Sequence, residues 1–154
     1  MTDGAGDRDR GPGPCRECGA RDCEGLFHAL LALDHAREEP WGPLHGVSVS
    51  CFLLQHPSRL PADDGARARE FLRAHLDGGL AEVDRLVGRA RAANSHRVKE
   101  RAPEVVREAP VEAPRGGYAV TIAEVAVDGT FPAEGFPERV RAWAAATVEA
   151  WGRP

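Results

Sequence analysis

Long apolar stretches are missing from this chain, where no run approaches the roughly 20 residues that a membrane span needs. Residues 1–14 are polar and rich in Gly and Pro, without the apolar centre of a signal peptide. Lysine is nearly absent: Lys99 stands alone beside nineteen arginines. That enrichment accompanies an excess of Ala, Gly and Pro, so it reads as coding bias before it reads as phosphate recognition. Neither sign of charge dominates, with 20 basic against 24 acidic residues and a net charge of −4, so the general basic excess of a nucleic-acid-binding domain is lacking. Four cysteines are too few for a small disulfide scaffold. Internal repeats and a heptad seam are absent, which excludes solenoids and coiled coils. With 154 residues, 42% of them hydrophobic, the expectation is one compact domain, soluble and cytoplasmic, with no membrane contact.

The apolar spacing predicts helices. Residues 1–14 read as a disordered tail and 15–154 as a single helical domain. Asp22 can cap a first helix whose apolar face is Leu26, Phe27, Leu30, Leu31 and Leu33, ending near Glu38 or Glu39 because Pro40 disfavours helix before it. A second helix from about Leu44 to Gln55 or His56 is apolar nearly all round and is expected at the centre. A third runs from about Ala62 to Leu76, is broken at Gly78 and Gly79, and a fourth continues from Leu80 to about Ala93. The Pro-rich stretch 94–117 reads as an exposed loop. Tyr118 to Val127 is ambiguous, since its valines partly alternate while Thr121 and Glu124 fit a capping box. A last helix from Glu138 to Trp151 should dock through Trp143 and Trp151. The fold class is therefore mainly all-α, about five helices with an N-terminal knuckle and one short extended or capped segment.

The chemistry is concentrated in the cysteines. Cys15-x-x-Cys18-Gly19 has the spacing of a knuckle in which two thiolates grip one tetrahedral ion, with Gly closing the turn. Cys23 follows at the expected start of the first helix, where backbone N–H groups favour a thiolate. The fourth ligand is open among His28, His35, His45, His56 and Cys51. His45 and His56 lie eleven residues apart on one helix face, roughly 16 Å along the axis, and cannot bind one ion together. A short connection makes the first two helices antiparallel neighbours, which brings His56 toward Cys23 and His45 toward Asp34 and His35. The expected set is Cys15, Cys18, Cys23 and His56 around Zn²⁺. Cys51 reads as a small buried hydrophobe. Asp34 and His45 have the composition of a general-base pair and are the candidate catalytic residues, although the same pair is also an ordinary buried hydrogen bond.

On these residues the chain resembles an uncharacterised bacterial family, a domain of unknown function. The resemblance rests on Cys15-x-x-Cys18-Gly19-Ala20, Cys23 opening a helix, Asp34, His45, Gln55-His56-Pro57, then Thr121-Ile122-Ala123-Glu124-Val125 and the paired Trp143 and Trp151. Gly46, Ser50 and His35 stand where the family often has Arg, Asp and Tyr. The resemblance implies no reaction, substrate or partner.

Three functions are weighed. The first is a binding or accessory module with a closed zinc site and a protein partner. The second is a hydrolase-like enzyme with a water on zinc and Asp34 or His45 as base, against which the roughly 16 Å separation argues. The third is nucleic-acid binding through Arg85, Arg89, Arg91, Arg97, Lys99 and Arg101, a stretch without aromatics to stack bases. A redox role for Cys15 and Cys18 would require a βαβ context that the surrounding pattern lacks.

Overall fold

The computed structural model describes residues 13–61, 63–97, 113–114 and 116–152. Residues 1–12 of the expected tail and most of the expected loop at 94–117 lie outside the described residues. Five α-helices follow one another: α1 (Cys23–His35), α2 (His45–Gln55), α3 (Gly65–Arg97), α4 (Ile122–Val125) and α5 (Phe136–Trp151). Single 3₁₀ turns, Gly42–Leu44 and Pro57–Arg59, flank α2. The described residues contain no strand, and one isolated bridge joins Val127 to Thr130. None of their helices is long and apolar enough to cross a membrane.

The ends of α1 differ from expectation. Asp22 occupies the N-cap position with φ 53°, and its side chain makes no capping hydrogen bond. Its carboxylate instead lies where a Cβ on Gly25 would stand. At the other end the helix stops at His35, before Pro40 can act, because Arg37 enters the left-handed region at φ 57°. The N–H groups of Ala36 and Arg37 then close on the carbonyls of Leu33 and Asp34 at 3.2 and 3.1 Å.

The second helix is the central one. Val47, Cys51, Phe52 and Leu54 are buried along it, and it packs against both α3 and α5. Gly46 permits the close approach of α3, since a Cβ there would stand 2.7 Å from the Phe71 ring. The expected break at Gly78 and Gly79 is a kink within α3: Gly79 sits at φ 66° and ψ −157°, which no helix contains and few side chains tolerate. Helical structure continues beyond Ala93 to Arg97.

The ambiguous stretch resolves as a capped single turn. Thr121 Oγ1 accepts the N–H of Ala123 at 3.2 Å, and the Glu124 carboxylate accepts the N–H of Thr121 at 2.7 Å. Arg139 at the start of α5 donates to the carbonyls of Val125, Pro132 and Glu134 at 2.8 to 2.9 Å, binding this turn and its loop to the helix. Trp143 is fully buried, and Trp151 Nε1 donates to the Leu54 carbonyl at 2.9 Å, so both tryptophans dock α5 as expected. Between them, Gln55 donates to the Val120 carbonyl and to Thr147 Oγ1, both at 2.9 Å, so a buried polar side chain in α2 is satisfied by two later elements.

Trp143 carries the largest fully buried side chain, so Trp143→Ala should lower the unfolding free energy by about 3–5 kcal/mol in chemical denaturation. Val127→Ala, at a site 41% exposed, should change it by no more than about 0.5 kcal/mol.

Candidate metal centre

Local backbone geometry builds the knuckle first. Gly19 takes φ 83°, allowing its N–H to bond the Cys15 carbonyl at 2.9 Å while the N–H of Cys15 bonds the Ala20 carbonyl at 2.9 Å. The N–H of Ala20 points at Cys18 Sγ, 3.4 Å away. Both sulfurs are thereby held on one side of a tight turn. Cys23 is the first residue of α1, where unpaired N–H groups and the helix dipole favour negative charge.

The antiparallel hairpin of α1 and α2 supplies the fourth group. Phe27 stacks on Phe52 with ring centroids 3.8 Å apart and planes within 2°. This pairing sets a register in which the start of α1 faces the end of α2. His56, the residue closing α2, therefore stands beside Cys23. One ligand atom from each of Cys15, Cys18, Cys23 and His56 lies within 4.8 Å of all the others, close enough to hold a metal ion. A tetrahedral ion with metal–sulfur bonds of about 2.3 Å spaces its ligand atoms by roughly 3.5–3.8 Å, so only a small contraction is needed.

Donor chemistry at the cluster fits a metal as well as its spacing does. His56 Nδ1 is 2.7 Å from the Phe52 carbonyl and donates to it, which leaves Nε2 as the atom with a free lone pair. That Nε2 is buried and has no hydrogen-bond partner. An acceptor nitrogen stranded among three sulfurs is costly unless a cation fills the gap. Burial lowers the His56 pKa, keeping the ring neutral and able to ligate, with the Phe52 carbonyl partly opposing the shift.

The thiols differ among themselves. Burial acts to raise Cys15, but N–H groups of Cys18 and Glu17, with the neighbouring thiols, outweigh it and hold Cys15 below its ordinary value. Burial pushes Cys18 up to about 12, with the sulfurs of Cys23 and Cys15 adding to the effect. Burial likewise raises Cys23, reinforced by Cys15. Three crowded sulfurs cannot all ionise without a cation between them.

The other candidates for fourth ligand lie elsewhere. Cys51 is fully buried in α2, and burial pushes its thiol far up, as suits a packed apolar residue. His28 is 72% exposed and 4.0 Å from Glu24. His35 and His45 are at the opposite end of the hairpin, with ring centroids 5.9 Å apart. There His45 Nδ1 lies 2.9 Å from Asp34 Oδ2, the pairing expected from the antiparallel arrangement.

One participant gave no sequence signal. Glu17 occupies a variable position inside the knuckle, and its carboxylate accepts the N–H of Ser58 at 3.0 Å and bonds the Ser58 hydroxyl. It ties the knuckle to the turn that follows His56. Arg59 in that turn reaches Glu24 at 3.4 Å and covers the Phe52 ring at 5.7 Å. Nothing in a Cys-x-x-Cys pattern distinguishes such a residue from a solvated one.

Glu17→Ala should weaken metal binding about tenfold in a competition titration with a chromophoric chelator, because outer contacts of this kind orient the ligands. Ser58→Ala combined with Glu17→Ala should add little, since both remove the same tether.

No curated protein and no solved structure matches the chain. A family model described as a family of unknown function, DUF5946, matches residues 13–152. That span includes the knuckle, the helical hairpin and the docking helix α5, and the chain belongs to this family of unknown function.

Proposed function

We propose that the protein is a small zinc-binding helical module of the cytoplasm, with Zn²⁺ held by Cys15, Cys18, Cys23 and His56, that acts through a protein partner rather than through chemistry at the metal. The observation that carries this reading is the buried, unpartnered Nε2 of His56 converging with three sulfurs. Three thiolates and one imidazole are the donors of a structural zinc site, and four protein ligands leave no position for a substrate or a reactive water. All four cysteines are free thiols, consistent with a reducing compartment.

The hydrolase reading needs a base beside the metal. The Asp34–His45 pair is instead separated from His56 by the length of α2, roughly 16 Å for eleven residues. Nucleic-acid binding finds little support in the basic stretch. Arg85 and Arg89 are engaged with Glu82 at 2.9 and 3.7 Å.

Structural zinc sites contribute on the order of 10 kcal/mol or more of apparent binding free energy, as large as the stability of a whole domain. Protein prepared without a metal-affinity tag should contain one zinc per chain, and X-ray absorption should report three sulfurs and one nitrogen. Chelation or Cys18→Ser should lower the thermal midpoint by well over 10 °C, given about 2–4 °C per kcal/mol for a chain of this size. Folded protein without metal, or a shell of three protein ligands and an oxygen, would overturn the closed site.

A further inference from the structure

The end of the hairpin remote from the metal carries polar groups that the zinc reading leaves unused. Asp34 in the last turn of α1 has a side chain with no exposure, while that of His45 at the start of α2 is 45% exposed. Their hydrogen bond at 2.9 Å holds Nδ1 of the imidazole and leaves Nε2 free to face outward. The buried carboxylate thereby fixes the orientation of a half-exposed imidazole.

This pair opens onto a cavity of about 400 Å³ lined by Asp34, His35, Arg37, Gly42, Pro43 and His45. Two backbone features shape its wall. Arg37 is held at φ 57°, a left-handed conformation that costs a non-glycine residue free energy. A Cβ on Gly42 would stand 3.0 Å from the Arg37 backbone, so the loop folds this closely only over glycine. Arg37 has no acidic partner among the described residues. The groups facing His45 are Asp34 and His35 from α1 and Arg37 from the connection, while α3 approaches the start of α2 with the apolar ring of Phe71. The lining therefore offers one guanidinium and two imidazoles against a single carboxylate, which is sealed behind His45. The cavity also lies at the start of α2, the positive end of its dipole.

We propose that this cavity binds a compact oxyanion, the carboxylate or phosphate group of a small molecule, between the Arg37 guanidinium and the His45 ring, with Asp34 as a positioning residue. Arg37 supplies a planar fork suited to two oxygens. His45 turns Nε2 toward the anion while its Nδ1 stays on Asp34, which keeps the ring oriented. The site does not depend on the metal, which sits at the other end of α2.

The test is a titration of the full chain with inorganic phosphate and, separately, succinate, followed through the histidine ring resonances. Saturable binding with a shift at His45 is expected, and the probe that saturates distinguishes phosphate from carboxylate ligands. Arg37→Gln and His45→Gln should each weaken binding about tenfold or more, the effect of losing one charge-assisted hydrogen bond. Gln at 45 keeps a donor for Asp34, and unchanged zinc content and circular dichroism would show that the fold survives. Asp34→Asn should weaken binding and reduce the shift of the His45 ring resonances that the anion produces in the parent protein, with zinc content unchanged. Absence of saturable binding by both probes, or binding that persists in Arg37→Gln and His45→Gln, would overturn the proposal.

Discussion

The antiparallel register of α1 against α2 is the constraint on which both polar clusters depend. Phe27 and Phe52 stack face to face one helical turn in from Cys23 and His56. Once that contact is set, Cys23 must meet His56 at one end and Asp34 must meet His45 at the other. A slip of one turn would carry each group about 5.4 Å from its partner, enough to dismantle the four-ligand cluster and the buried carboxylate–imidazole bond alike. The register is reinforced by His56, whose ring lies on the opposite side of Phe52 with centroids 4.0 Å apart. The apolar column and the candidate ligand His56 are thus parts of one stack.

The rest of the molecule holds this hairpin still. α3 and α5 pack against α2, and α5 is fastened by bonds whose donors are buried: Gln55 to Thr147, and Trp151 to the carbonyl of Leu54. Tyr118 donates to the same Leu54 carbonyl at 3.2 Å, two residues before His56 in the chain. The C-terminal end of α2, where the backbone lacks intrahelical donors for its carbonyls, is therefore satisfied by side chains from distant elements. That leaves His56 in a defined position with its lone pair aimed at the cysteines. A rigid scaffold with a closed donor set suits a site that ties the N-terminal segment to the hairpin.

Much of this was legible from local pattern. Proline, glycine and apolar spacing act within a few residues, so helix positions, the interruption near Gly79 and the central place of α2 could be read directly. The cysteine spacing could be read for the same reason, because a knuckle is closed by its own backbone. The choice of His56 needed one further inference, that a short connection makes antiparallel neighbours. Where the local signals competed, the contacts of the folded chain chose between them. Pro40 marked a plausible end for α1, but Arg37 turned left-handed earlier, against Gly42. The valines of 118–127 alternate like a strand, yet the Thr121–Glu124 capping box and the three carbonyls gathered by Arg139 made a helical turn.

Short-range sterics and side-chain spacing thus settle which segments are helical and which residues have the chemistry to bind a metal. They act between neighbours and are written in residue order. Tertiary packing settled the rest: that Glu17 reaches Ser58, that Asp34 is sealed behind His45, and that Arg37 lines a cavity with no ion-pair partner among the described residues. These groups are brought together by the stacking of two helices and the fold-back of one loop. Burial, which makes a lone nitrogen or a carboxylate consequential, exists only after the chain has closed around it.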